Sequence, residues 1–342
     1  MKKTFYSISV LFFFIILVSY FRNLVHFGET SIQNNNELGH FGYALGVSNR
    51  NSIELGPLLF MDTDENEILV YFSNEGGTDA EFVLKLFLDY RSIYFSVLNS
   101  YEHIYNKSYS FFLQDGESIT IPISVLDSFD NFNYYAKLNT IIMIEPNLFQ
   151  KNVQHFNDKF YGMSISSYVV FSPDEQLKEK VLDGYVNIAD VSWSTNLNEN
   201  LFEILPTIYP KNHFDFNIGT SIENIVPTFN PSYLSYITVQ PKEKVNFYYV
   251  LGDTTIDGLN RFVIIGLLDW EQINLNNKEF LKVELPRNGY NNSLYAGFGN
   301  LIFEAPEETG MYEFIALAIG ISDDIAFFTN IENSFRVTIV VE

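Results

Sequence analysis

The chain has 342 residues, 47% of them hydrophobic and 57 aromatic, enough for about two domains with real cores. Phe 33 and Tyr 22 favour sheet over helix and exclude disorder and collagen. The net charge of −22 opposes binding to nucleic acid or anionic lipid, and zero cysteines exclude thiol catalysis, disulfides and thiolate metal sites.

After Lys2 and Lys3, residues Thr4 to Phe21 carry no charge. Eighteen helical residues span roughly 27 Å, against a hydrocarbon core about 30 Å thick. No A-x-A-like cleavage pattern surrounds Val18, Ser19, Tyr20 and Phe21, so residues 1–22 are predicted to be a transmembrane anchor, with a cleaved signal sequence as the alternative. Lys2 and Lys3 outweigh Arg22, which places the bulk of the chain outside the cell membrane, and a cysteine-free exported chain of this kind suggests a bacterial envelope. Residues 23–49, with Asn34-Asn35-Asn36 and Gly39, Gly42 and Gly46, read as a flexible stalk.

The strongest internal signal is a duplication. FVLKLFLDYRSI (82–93) and FVIIGLLDWEQI (262–273) share Phe82/Phe262, Val83/Val263, Leu88/Leu268, Asp89/Asp269 and Ile93/Ile273 at a constant offset of 180. Upstream, residues 58–72 parallel 237–250, each expected to form a hairpin around a charged turn. Downstream, 139–146 and 163–171 parallel 312–320 and 334–342. The turn pairs Gly76-Gly77, Asp115-Gly116 and Asn288-Gly289 separate short strands. The prediction is all-β: two tandem antiparallel sandwiches, residues 50–172 and 206–342, joined by a linker over 173–205. Within the linker, Ser172 as N-cap, Pro173 at the first helical position and Gly184 as a stop predict a short helix over 173–183.

Alternation along the repeated strand puts Phe82, Leu84, Leu86, Leu88 and Tyr90 in a core and Val83, Lys85, Phe87, Asp89 and Arg91 on the other face. In the second copy that other face carries Val263, Ile265 and Leu267. Three adjacent apolar residues there predict a cover, either the interdomain segment or a partner.

Near the C-terminal end, EAPEETGMYEF (304–314) resembles the tyrosine-corner segment of immunoglobulin-like (Ig-like) domains, with Tyr312 as corner tyrosine and Phe314 where those domains carry a cysteine. The resemblance implies an Ig-like sandwich.

Candidate chemistry is sparse. His26, His40, His103, His155 and His213 fall at no ligand spacing, and structural or surface roles suit them better than metal or base roles. GMSIS and GTSIE lack the second glycine of a nucleophile elbow. Gly297-Phe298-Gly299 precedes an apolar strand, so a sheet turn is expected there and not a phosphate cradle. Asp62 and Asp64 begin a D-x-D-x-N string like a calcium loop. Glu67 stands in place of its glycine, which favours an acidic turn over a Ca²⁺ site, and Asp323-Asp324 has the same standing. Asp89 and Asp269 are read as strand-end carboxylates accepting backbone N–H bonds. Trp193, Trp270, Tyr248, Tyr249 and Tyr134-Tyr135 are read as core aromatics before a sugar-stacking platform.

No catalytic or cofactor-binding residue is assigned. The function expected from the sequence is a non-enzymatic, membrane-anchored extracytoplasmic binding or scaffold protein, its partner another envelope protein or a wall polymer. The alternatives are an envelope carbohydrate-active enzyme with loop carboxylates and a purely structural spacer.

Overall fold

The computed structural model describes residues 42–49, 58–61, 67–98, 105–125, 135–149, 162–171, 201–207, 214–221, 236–253, 261–285, 294–321, 331–334 and 336–342. Every regular element among them is a strand. The leader (1–22), the helix expected over 173–183, all five histidines, Asp62, Asp64, Asp323, Asp324, Trp193 and Tyr134 lie outside the described residues.

The first ten strands are β1 (Gly42–Asn49), β2 (Leu58–Met61), β3 (Glu67–Glu75), β4 (Ala80–Leu88), β5 (Arg91–Ser92), β6 (Phe95–Val97), β7 (Tyr109–Leu113), β8 (Ser118–Val125), β9 (Tyr135–Ile144) and β10 (Gly162–Phe171). They form a sheet ordered β1-β3-β8-β6 and a second ordered β2-β10-β9-β4-β5, with β7 also paired to β4. The remaining strands are β11 (Leu201–Thr207), β12 (Phe214–Gly219), β13 (Tyr236–Val239), β14 (Lys244–Asp253), β15 (Arg261–Leu268), β16 (Glu271–Ile273), β17 (Leu281–Glu284), β18 (Leu294–Glu304), β19 (Gly310–Ile321), β20 (Ile331–Asn333) and β21 (Val337–Val341). Their sheets run β11-β18-β14-β12 and β13-β21-β19-β15-β16, with β17 on β15 and β20 on β19.

The duplication is therefore structural. β3, β4, β8, β9 and β10 correspond to β14, β15, β18, β19 and β21, in the same order and pairing. Phe82, Leu84, Leu86 and Leu88 bury into one core with Phe72 and Ile123, while Phe262 and Ile264 bury into a second with Phe247 and Leu301. Between them a third apolar layer joins the two sheets that contain β4 and β15. Strands buried on both faces explain why 262–267 reads as an unbroken apolar run and 82–88 as one interrupted only by Lys85.

Three expectations are corrected. Residues 58–72 and 237–250 are not hairpins: β2 pairs in parallel with β10 and β13 with β21, whereas β3 and β14 lie in the facing sheets. An alternating pattern on each side of a polar turn feeds one core equally well from two facing sheets, so periodicity does not distinguish an arch from a hairpin. Each sheet on the middle layer is thus mixed, not wholly antiparallel. β1 occupies Gly42–Asn49, inside the expected stalk, because Tyr43, Leu45 and Val47 alternate toward the first core. β11 begins at Leu201, inside the expected linker, and adds to the edge of β18.

Candidate functional site: the layer between the two sheet pairs

The repeated Asp-aromatic pair shapes the edge of this layer. Asp89 and Tyr90 have φ of 45° and 69°, and Asp269 and Trp270 have 45° and 67°. Left-handed backbone at both positions makes the two-residue hairpin whose twist matches its strands, here Leu88 with Arg91 and Leu268 with Glu271. Each aspartate repays the strain with paired bonds to the neighbouring strand. Asp89 N donates to Lys137 O and Asp89 Oδ1 accepts from Lys137 N, both at 2.9 Å; Asp269 makes the same two bonds to Glu313 at 2.8 Å. Partial burial holds the Asp269 carboxyl above its ordinary value, against the lowering effect of the Glu313 amide. The turn also carries Tyr90 out of the expected core face and into the middle layer.

Val263, Ile265 and Leu267 are fully buried there, in one cluster with Ile315, Leu317 and Ile319 from β19 and with Phe87, Tyr90, Ile141 and Met143 from the first sheet pair. Among the described residues, their cover is the neighbouring sheet.

Charged side chains stitch this apolar layer together. Lys85 Nζ donates to the carbonyl of Trp270 and lies 3.2 Å from Glu271 Oε1. Burial draws the Lys85 ammonium below the usual lysine range, with Glu271 opposing. Lys137 Nζ donates to Gly320 O at 2.9 Å. Arg336 reaches furthest, donating to Ile144 O at 2.8 Å, Glu145 O at 3.1 Å, Pro146 O at 3.4 Å and Leu148 O at 3.1 Å. Its Nε faces Glu313 Oε2 at 3.4 Å, and its guanidinium lies 4.8 Å from the centre of the Trp270 ring. Glu313 also accepts from the Thr338 hydroxyl. Burial raises the Glu313 carboxyl, with Arg336 and Thr338 pulling it back down. One guanidinium thus binds a turn of the first sheet pair to a carboxylate of the second, a task suited to its planar fork of five donors.

At the rim, Ser92 N donates to Gln272 Oε1 at 2.8 Å and Gln272 Nε2 donates to Tyr90 O at 2.9 Å. Arg91 and Glu279 meet at 2.9 Å, but both are exposed, so solvent screens most of that attraction.

Of the residues singled out from the sequence, Lys85, Asp89, Asp269, Trp270, Val263, Ile265 and Leu267 converge on this layer, and Asp62 and Asp64 lie outside the described residues. Tyr249 is in the second core. Tyr312 Oη donates to Glu308 O at 2.9 Å, the tyrosine-corner bond, and Phe314 is buried in the second core. Sequence reasoning missed Lys137, Glu313 and Arg336. The signal was present: each is a lone charge inside an apolar strand run, in AKLNTII, MYEFIAL and SFRVTIV. Among the described residues no group of three or more His, Asp or Glu is placed to hold a metal, and no helix is long and apolar enough to cross a membrane.

No family model matches this chain, and no curated protein matches it. Solved structures similar to it include the CsuC-CsuE chaperone-tip adhesion subunit pre-assembly complex from the Csu pili of Acinetobacter baumannii, at 10% identity over 80% of this chain and 94% of that one, with a TM-score of 0.22. The E. coli chaperone DraB is 8% identical over 87% and 97%, with a TM-score of 0.26. The C-terminal domain of the Streptococcus agalactiae AgI/II polypeptide BspA is 8% identical over 88% and 100%, with a TM-score of 0.23. TM-scores this low do not establish a common fold, and the architecture above rests on strand pairing and burial.

Proposed function

We propose that this chain is a non-enzymatic, membrane-anchored extracytoplasmic binding or scaffold protein of the bacterial envelope, built as two Ig-like sandwich domains locked side by side. The observation that carries the reading is the use of Arg336: the most demanding side chain in the middle layer is spent on four carbonyls and a carboxylate of the chain itself. Lys85 and Lys137 act in the same way. A joint held at several points gives a rigid body, which suits presenting loops and sheet edges to a partner at a fixed spacing. The apolar leader Thr4–Phe21 supports the anchored, outward orientation, and the net charge of −22 supports a protein or wall-polymer partner over nucleic acid.

The test expresses the full chain with a C-terminal tag in a bacterial host and treats intact cells and lysed cells with protease. The reading expects the tag in the membrane fraction and cleavable from outside. A tag recovered in the cytosol, protected until lysis, would overturn it. Cross-linking on the same cells, followed by purification, then separates a binder, which carries a specific envelope partner, from a spacer, which carries none.

A further inference from the structure

The duplication relates the contacts across the middle layer as well as the folds beside it. Phe82 is opposite Ile144 and Phe262 is opposite Gly320, so Ile144 and Gly320 are equivalent positions in the two sheet pairs. A cation from the opposite sheet pair ends on each: Lys137 on Gly320 O, and Arg336 on Ile144 O. Lys137 and Glu313 are likewise equivalent, each paired with the aspartate of its own turn, and in the second copy Glu313 holds the arginine that reaches across. Ser92 and Gln272, equivalent at the offset of 180, touch each other. Two equivalent residues meet only near a two-fold axis; the carbonyl contacts follow that axis in position but not in detail, because Arg336 is the counterpart of Ser166 and not of Lys137.

We infer that the middle layer is a self-complementary, pseudo-two-fold interface that a second copy of this chain can complete by exchange, the first sheet pair of each chain docking on the second sheet pair of the other. The exchanged dimer makes the same contacts as the single chain, so the balance between them is set by the connection and by concentration. The connection from Phe171 to Leu201 holds residues 172–200, and at about 3.3–3.6 Å per residue those 29 residues can reach roughly 100 Å. Intramolecular closure competes at an effective concentration of about millimolar, so exchange belongs to crowded copies and not to dilute ones. With −22 on each chain, salt favours the dimer by screening repulsion.

The native chain has no cysteine, so single-cysteine variants report without background. Full-length Ser92→Cys and Gln272→Cys chains are unfolded together in urea with detergent, refolded at micromolar and at near-millimolar concentration, and treated with a short bis-maleimide. Exchange predicts a covalent Ser92→Cys/Gln272→Cys pair whose yield rises at least several-fold with concentration and again with salt. The double variant in one chain, refolded dilute, closes as a monomer and shows that the two sites are within reach. Light scattering on the unmodified chain gives a second readout that needs no variant. A species of twice the 39.5 kDa chain mass that forms at near-millimolar concentration and is absent after dilute refolding supports exchange. Monomer alone at every concentration, with no mixed cross-link, overturns it.

Discussion

Lys137 Nζ donates to Gly320 O at 2.9 Å, across two sheets that lie 183 residues apart in sequence. The bond belongs to a set in which Lys85 and Arg336 also end on backbone carbonyls of the opposite sheet pair. Buried ammonium and guanidinium groups are costly unless fully partnered, so each of these side chains is committed to one docked arrangement.

Arg336→Met is expected to destabilise the chain by about 3–5 kcal/mol, because Glu313 is left buried without its counter-charge. Urea unfolding followed by tryptophan fluorescence measures this, since Trp270 lies under the guanidinium. Glu313→Gln should cost less, because Arg336 keeps its four carbonyls. Equal losses in the two variants would argue against the carbonyl cage as the main anchor.

Tyr249→Phe is expected to leave stability unchanged or raise it by about 1 kcal/mol. The hydroxyl is buried with no hydrogen-bond partner among the described residues, and burial pushes its pKa well above the usual tyrosine range. Phe72 fills the equivalent place in the first core, opposite Ile119 as Tyr249 is opposite Gly299. A clear loss of melting temperature would show that the hydroxyl is hydrogen-bonded in the folded chain.

Gly266→Ala should cost about 1–3 kcal/mol through overpacking. An added Cβ would sit 2.8 Å from Leu275 Cδ2 and 3.0 Å from its Cγ. Leu86 holds the equivalent position in the first copy, so Gly266→Leu tests how far the two cores have diverged. Trimming Leu275 to Ala in the Gly266→Ala background should recover part of the overpacking, visible as non-additivity in a double-mutant cycle.

The pH dependence of Lys85 has a definite sign. Its pKa in the folded chain is below the unfolded value, so the unfolded state binds more protons in the alkaline range between the two, and stability rises with pH there. Lys85→Met should remove that rise relative to the unmodified chain in melts taken across the window. Asp269 and Glu313, both raised, act oppositely: their contribution falls as pH climbs from the unfolded carboxylate value through the folded one. A Lys85→Met difference curve flat across the alkaline range would place the ammonium in solvent.

Much of this architecture could be read from residue order. The offset of 180 located β4 and β15, and the aspartates at their ends do accept the backbone bonds expected of them. Periodicity assigned Val263, Ile265 and Leu267 to a face apart from the core and called for a cover, but pointed to the interdomain segment or a partner and not to the first sheet pair, because a long-range partner leaves no local trace. It misplaced Tyr90, since a left-handed turn reverses a side chain without altering composition. Lys137 and Arg336 went unnoticed because a lone cation in a strand looks the same whether it meets water or a distant carbonyl. The arches after β2 and β13 were misread for a related reason: a polar turn records that the chain reverses, not which sheet it rejoins.

The parallel pairing of β2 with β10 and of β13 with β21 has a mechanical consequence. Tension between Leu58 and Phe171 pulls the two strands past each other lengthwise, so all their ladder bonds are loaded together instead of being peeled one at a time. The same holds between Tyr236 and Val341. Force applied between those points therefore meets each of these two short ladders in shear.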